Sequence, residues 1–67
     1  MRNRLKVLRE AEGLSQQEMA KVLGITRQTV ISIENNHFDP RLSLAFRVAE
    51  HFNVPVDEVF YSADDNE

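Results

Sequence analysis

The sequence predicts an all-α domain of four to five helices, with room for one short strand near its C-terminus. Apolar residues recur at three- and four-residue spacing in several short segments, which is typical of helices that bury one face. Glycine, asparagine and proline separate these segments, as expected for turns. Because the chain has 67 residues, we expect one domain over residues 1–61, followed by an acidic, frayed tail over residues 62–67.

The first predicted helix covers about residues 3–12. Leu5, Leu8 and Ala11 are spaced to form its inner stripe. Gly13 is expected to end it, because glycine enters the left-handed conformation without a steric cost.

The second and third predicted helices are short, at about residues 16–23 and 27–35. Ser15 and Glu18 form a capping-box pattern, in which each side chain bonds the other residue's backbone N–H. Gly24 is expected to end the first of these two helices. Two short helices around a three-residue break are typical of a helix-turn-helix, which sets its second helix into the major groove of DNA. The residues expected to face the core are Met19, Ala20, Leu23, Ile25, Val30 and Ile33.

The C-terminal part predicts a loop over residues 36–41, a helix over residues 42–52 and a short fifth helix over about residues 55–60. Asn53 should end the longer helix, and Pro55 suits the first position of the shorter one. The apolar run at residues 59–61 could also form a short strand that pairs with residues 2–4. The inner residues expected in the fourth helix are Leu42, Ala45, Val48, Ala49 and Phe52.

Residues spread over about positions 3–60 keep the order and spacing of one known pattern. They are Leu5, Leu8 and Arg9, residues 13–16 with Glu18 and Ala20, residues 24–26, Val30 with residues 33–35, and Pro40, Leu42, Val48, Ala49 and Phe52. In these positions the chain resembles the phage-repressor and xenobiotic-response-element type of helix-turn-helix regulators. The resemblance implies a compact lambda-repressor-like fold that binds double-stranded DNA. Asn36 departs from many relatives, which have glycine there, but asparagine also tolerates left-handed geometry.

The outer face of the third predicted helix carries side chains that the fold does not require. Arg27 can bond guanine and Gln28 adenine through paired hydrogen bonds, although both could be ordinary solvated residues. Ile31 could pack on a thymine methyl group or be one scattered exposed apolar residue, and both interpretations stay open here. Ser32 is a candidate for a direct or water-mediated base contact.

The resemblance also assigns roles to residues outside this face. It implies that Gln16 bonds a DNA phosphate with the help of a helix N-terminus. It further implies that Arg9 bridges Glu34 and so fixes the reading helix against the scaffold. Lys21 and Arg41 could add charge or simply be solvated. Further phosphate candidates around the third helix are Thr26, Thr29, Asn35 and Asn36.

The apolar residues left over exceed what one small domain needs to bury. We expect them to point outward and form a homodimer interface, although several could instead complete the packing of the fifth helix. A symmetric dimer predicts a palindromic operator with half-sites about 34 Å apart. The interface candidates are Leu44, Phe46, Val56, Phe60 and Tyr61, with Val7 also left exposed.

Charge is unevenly distributed along the chain. The net charge is −3, but residues 1–36 hold six cations against four anions, and residues 37–67 hold two against seven. The net charge is thus +2 for residues 1–36 and −5 for residues 37–67. The local field near the predicted reading helix is therefore expected to be positive. Few phosphate contacts and a shallow salt dependence are expected.

The sequence also excludes several classes of function. It contains no cysteine, and His37 and His51 stand fourteen positions apart without a metal-ligand spacing. We expect no cofactor, no metal and no enzymatic activity, because no nucleophile–base pattern or phosphate-binding loop is present. No segment resembles a signal peptide or membrane span, so a cytoplasmic setting is expected.

The leading interpretation is a transcriptional repressor that acts as a homodimer on its operator. An alternative is the antitoxin of a toxin–antitoxin pair, which would hold a small protein partner. A helical interaction module that never binds nucleic acid is a third interpretation, and the polar outer face of the third helix argues against it.

Overall fold

Four α-helices and a two-stranded ribbon form the protein in the computed structural model, which describes residues 1–62. This confirms the predicted all-α class with one short strand pair. The expected frayed tail lies almost wholly outside the described residues. The elements are β1 (Arg2–Asn3), α1 (Leu5–Ala11), α2 (Gln16–Leu23), α3 (Arg27–Glu34), α4 (Leu42–Phe52), a 3-10 turn (Val56–Glu58) and β2 (Phe60–Tyr61).

Residues 2–3 pair with residues 60–61 in a short antiparallel ribbon, which we call the terminal ribbon. Arg2 lies opposite Tyr61, and Asn3 lies opposite Phe60. The strand that the apolar run allowed is therefore confirmed. The pairing also explains why α1 begins at Leu5 instead of residue 3, because the preceding residues are extended.

The predicted fifth helix is shorter than expected. Only the 3-10 turn Val56–Glu58 is helical, with Pro55 at its N-cap. Val59 then directs its carbonyl oxygen to the backbone N–H of Arg4 at 2.9 Å, and this bond extends the ribbon pairing. Strand pairing has replaced the last turn of the predicted helix.

The helix ends follow the predicted local signals closely. The Ser15 hydroxyl accepts from the Glu18 N–H at 3.0 Å, and the Glu18 carboxylate accepts from the Ser15 N–H at 2.8 Å, so the capping box is complete. Gly24 ends α2 with φ 71°, and Asn53 ends α4 with φ 58°. Asn36 adopts φ 63°, so asparagine does take the left-handed turn position.

One apolar core joins all the helices to the ribbon. Its fully buried side chains come from all four α-helices and from the residue that precedes β2. Fully buried Val59 was not anticipated as a core residue. The largest side chains with less than 2% exposure are Leu5, Met19, Leu23, Val30, Ile33, Val48 and Val59.

Four residues lie on the opposite side from the one expected. Ala11 is exposed, and Leu42 is 65% exposed, because it lies at the edge of the α4 stripe in the first turn. Leu44 and Phe60, expected to point outward, are each only 8% exposed within one chain. Leu44 takes the core position that Leu42 leaves, and Phe60 points inward by strand alternation.

Two polar clamps tie α4 to the first half of the chain. The Arg47 guanidinium donates to the Leu23 carbonyl oxygen, which would otherwise be unpaired at the end of α2. The His51 Nε2 lies 2.8 Å from the Glu12 Oε1. His51 is exposed at the surface, and its imidazole joins α4 to the turn after α1.

An apolar face remains exposed along α4 and the C-terminal segment. Leu42 and Phe46 are 65% and 48% exposed and lie one turn apart. Two grooves of about 670 and 510 Å³ flank them and share Val56 as a lining residue. We call this the apolar face; its members are Met1, Leu42, Phe46, Val56 and Tyr61.

No helix within residues 1–62 has the length and apolar content needed to cross a lipid bilayer.

Candidate nucleic-acid interface

Helix α3 is held by its cap and by two core side chains. The Thr26 hydroxyl accepts from the Thr29 backbone N–H at 3.1 Å, so the predicted N-cap is present. Val30 and Ile33 are fully buried against the core. The remaining face of the helix is thereby directed away from the protein.

That outer face brings together the predicted base-reading residues. Arg27 and Gln28 are exposed in the first turn, whereas Ile31 and Ser32 are half-buried further along. The Gln28 Nε2 lies 3.5 Å from the Ser32 Oγ, a weak contact within the helix. The Arg27 guanidinium makes no hydrogen bond or ion pair within residues 1–62. Among the residues that the structure describes, the fold thus leaves the Arg27 guanidinium free for a ligand.

The predicted Arg9–Glu34 pair is present and buried. The Arg9 Nε donates to the Glu34 Oε2 at 2.7 Å, and the Nη2 donates to the Oε1 at 3.2 Å. Only 9% and 3% of the two side chains are exposed. The hydrogen bonds to Glu34 raise the pKa of Arg9 further above its ordinary value, against the opposing effect of burial. Arg9 also donates to the Leu14 carbonyl at 2.8 Å, so one guanidinium joins α1, the following turn and α3.

Gln16 shares the same carboxylate. Its Nε2 donates to the Glu34 Oε1 at 3.1 Å, which places the Gln16 side chain at the junction of α2 and α3. An amide nitrogen carries two N–H donors, so one remains after the bond to Glu34. The bond to Glu34 therefore orients the Gln16 amide and leaves it one N–H donor, and its contact with a phosphate stays a prediction.

The other phosphate candidates differ in how strongly the fold already engages them. Thr26 and Thr29 bond each other through their hydroxyl oxygens at 2.8 Å. Asn35 is the exposed C-cap of α3, and Lys21 is exposed in the last turn of α2. Asn36 accepts from another side chain, described next. Thr26, Thr29, Asn35 and Asn36 lie in or next to α3, as the sequence predicted, while contact with phosphate stays a prediction for them and for Lys21.

Asn3 is the residue at this site that the sequence did not reveal. Its Nδ2 donates to the Ile33 carbonyl at 2.7 Å and to the Asn36 Oδ1 at 3.1 Å. Its Oδ1 accepts from the Leu5 backbone N–H at 3.0 Å. Asparagine before a helix is a recognised capping signal, but its contacts across 30 and 33 positions have no local signature.

The first turn of α2 adds a local electrostatic feature. Hydrogen bonds from the Ser15 backbone, and then from its side chain, lower the pKa of Glu18 below the ordinary value of 4.5. Glu18 is thus charged at neutral pH and engaged by the cap. Within residues 1–62, no group of three or more histidine, cysteine, aspartate or glutamate side chains is placed to hold a metal ion.

Comparison with known proteins places this arrangement in a family. A family model described as helix-turn-helix matches residues 5–59. The chain belongs to this helix-turn-helix family. The resemblance to the phage-repressor type is thereby confirmed, and the family is one of DNA-binding regulators, not a class of enzymes.

Similar proteins occur in archaea and bacteria. A helix-turn-helix protein of Methanocaldococcus jannaschii, named as an uncharacterized HTH-type transcriptional regulator, is 45% identical over 65 residues, covering 97% of this chain and 98% of that protein. A Bacillus subtilis protein with the same description is 36% identical over 66 residues, covering 98% of this chain and 100% of the other. These relatives match the chain along nearly its whole length.

Two solved structures share the fold. The SOS-response transcriptional repressor LexA from Eubacterium rectale superposes with a TM-score of 0.79 at 22% identity, covering 94% of this chain and 67% of that one. A hypothetical transcription factor, NHTF, from Neisseria gives a TM-score of 0.76 at 23% identity, covering 91% and 68%. At these sequence identities, the superpositions establish that the overall fold is shared.

Proposed function

We propose that the protein is a transcriptional repressor that binds a palindromic double-stranded DNA operator as a homodimer. One observation carries the proposal: α3 is anchored on one face by buried side chains, and its other face presents exposed polar side chains, among them an Arg27 guanidinium without a partner in residues 1–62. The names of the archaeal and bacterial relatives as transcriptional regulators support the same class of function. Repression by promoter occupancy requires only that the protein bind DNA, so it needs no further site among the described residues.

The anchoring of α3 supports base reading because hydrogen-bond readout depends on position. Val30 and Ile33 hold the helix by burial, and Glu34 fixes its end through a charge-assisted pair with Arg9. Side chains in the first turn then enter the major groove in a reproducible orientation. Arg27 and Gln28 are the residues expected to discriminate between bases, with Ile31 and Ser32 behind them.

Dimerisation is proposed through the apolar face. No lining residue of its two grooves belongs to α2 or α3, so a partner seated there leaves the reading face uncovered. Leu42 and Phe46 expose large apolar side chains to solvent, and covering them would remove that area from water. Because Leu44 and Phe60 are used within one chain, the interface candidates are Phe46, Val56 and Tyr61, with Leu42 added.

A second copy of this chain is the proposed occupant because DNA recognition by so few residues needs two half-sites. One reading helix offers about four side chains, and each good paired contact contributes about 1–3 kcal/mol of discrimination. A two-fold symmetric pair doubles that contribution and requires a palindromic site. The operator should therefore contain two inverted half-sites about one helical turn apart.

The experiment that tests this proposal selects bound DNA from a random pool and sizes the complex in the same sample. The expected result is an enriched inverted repeat bound by two chains. Enrichment of no sequence would overturn the DNA-binding part, and a single half-site bound by one chain would overturn the dimer. A second protein that co-purifies on the apolar face, with the same DNA site retained, would favour the antitoxin alternative.

A further inference from the structure

We propose that Asn3 is a positioning residue for the reading helix, because its side chain fastens the C-terminal end of α3 to the terminal ribbon. This inference rests on the proposed function and adds a residue to it. Asn3 lies in β1, outside the helix-turn-helix segment, and does not itself belong to the reading face.

The contacts fall at the point where α3 needs partners. The last carbonyl oxygens of a helix lack donors from a following helical turn. The Ile33 carbonyl accepts from the Asn36 backbone N–H at 3.0 Å, and the Asn3 Nδ2 adds a second donor at 2.7 Å. The same nitrogen reaches the Asn36 Oδ1 at 3.1 Å. Asn36 is the residue with φ 63° that turns the chain away from the helix. One amide group thus bonds both the end of α3 and the turn that follows.

The other end of the same amide fixes its orientation. The Asn3 Oδ1 accepts from the Leu5 N–H at 3.0 Å, which satisfies a free donor in the first turn of α1. The formal N-cap, Arg4, contributes no side-chain cap. Because the oxygen is held by α1, the nitrogen is directed toward α3.

The ribbon supplies the fixed point from which Asn3 acts. Asn3 lies opposite Phe60, and the next residue, Arg4, bonds the Val59 carbonyl at 2.9 Å. Val59, which precedes β2, and Phe60 are 0% and 8% exposed, so this segment is buried in the core. Tyr61, which follows, lines the apolar face. The ribbon therefore links the proposed dimer surface to the end of the reading helix.

A specific consequence follows for DNA binding. Without the Asn3 amide, the end of α3 and the turn at Asn35 and Asn36 lose a restraint, and both residues are phosphate candidates. Phosphate contacts set register and affinity, whereas base contacts set sequence preference. Loss of the tether should weaken binding to all sequences while the preferred operator stays the same.

The test uses Asn3→Ser and Asn3→Asp in the full chain. Both variants keep an oxygen that can accept from Leu5, and both remove the amide donors. We expect each to bind the selected operator about five- to thirtyfold more weakly, since two hydrogen bonds are lost. We also expect faster hydrogen exchange at the Asn36 and His37 amides, measured well below each melting temperature. Asn3→Ser adds no charge, so a loss of affinity that both variants share cannot come from the carboxylate introduced by Asn3→Asp.

The outcomes separate the two proposals. Wild-type affinity and exchange in both Asn3 variants would overturn the positioning role. So would accelerated exchange spread equally over α1, α2 and α4, because that would indicate general destabilisation. If the wild-type chain selects no DNA, the proposed function is overturned, and so is any role of Asn3 in DNA binding. The exchange arm would still report whether Asn3 holds the end of α3.

Discussion

At residue 34 a single carboxylate accepts hydrogen bonds from side chains on two other helices. Arg9 occupies both oxygens, and Gln16 shares the Oε1. A charge this deeply buried is tolerated only because its partners satisfy it. The arrangement makes the ion pair a structural requirement for the position of α3 and, through Gln16, a neighbour of the expected phosphate site.

Replacement of Arg9 by alanine should therefore cost folding before it costs DNA binding. The change leaves Glu34 buried without a counter-charge and removes the bond to Leu14, a loss of about 3–5 kcal/mol. Urea denaturation at neutral pH measures it, with Lys6→Ala as the control because Lys6 is an exposed cation on the same helix. An Arg9→Ala protein as stable as wild type would contradict the structural role of the pair.

Arg27 and Gln16 should respond differently to the same truncation. Arg27→Ala is expected to relax preference at one base pair in each half-site, at about 1–3 kcal/mol. Gln16→Ala should weaken binding to all sequences by a similar factor, because a phosphate contact carries no sequence information. Affinities for a panel of single-base operator variants distinguish the two. An unchanged preference after Arg27→Ala, or a selective loss after Gln16→Ala, would contradict the respective assignment.

Residue roles were predictable where the partners belong to a known pattern, and not otherwise. The Arg9–Glu34 pair was expected from the resemblance and is present. The contacts of Asn3 with Ile33, and of His51 with Glu12, join residues 30 and 39 positions apart. Nothing in local sequence specifies which distant polar groups will meet, since that depends on how the helices pack.

At the scale of elements, the helices were predictable to within a residue or two where strong caps define them. Helix α2 begins after Ser15 and ends at Gly24, as its capping box and glycine predicted. The C-terminal segment was less certain because its local preferences compete. Pro55 favours a helical start, whereas the apolar run that follows favours a strand. Pairing with β1 decides between them, and only the folded chain supplies that partner.

The capping box of α2 predicts an acid-sensitive contribution to stability. Because the pKa of Glu18 is lowered in the folded state, its contribution is complete above about pH 4.5 and disappears as pH falls through the folded pKa. Glu18→Gln keeps a side chain that can complete the box without a charge. The difference in melting temperature between wild type and Glu18→Gln should be largest near neutral pH and vanish in acid. A difference that stays constant down to pH 3 would contradict this.

At the scale of the whole molecule, the fold decides which apolar side chains are buried within one chain and which stay exposed on its surface. Helical spacing alone could not predict that division, because it aligns Leu42 with Ala45 and Ala49, which are buried. The structure exposes Leu42 and encloses Leu44 and Phe60. The choice depends on the position of α4 relative to the ribbon, which is a property of the complete fold.

A charge on the apolar face should separate the proposed dimer without unfolding the chain. Phe46 is 48% exposed, so Phe46→Glu is expected to keep the wild-type helical content while sedimentation equilibrium reports one chain instead of two. Operator affinity should fall with it. The matched control is Val7→Glu, which changes another exposed apolar residue, on α1. Equal masses for wild type and Phe46→Glu would remove the apolar face as the dimer interface.

In α3, the side chains that hold the helix in the fold are different from those proposed to contact DNA. Val30, Ile33 and Glu34 secure the helix, and none of them is among the proposed base-reading side chains. The outer positions can therefore be exchanged as a set while the scaffold stays intact. On the proposed function, exchanging only these outer side chains should redirect such a chain to a new operator, so related regulators could change their targets while the core stays the same.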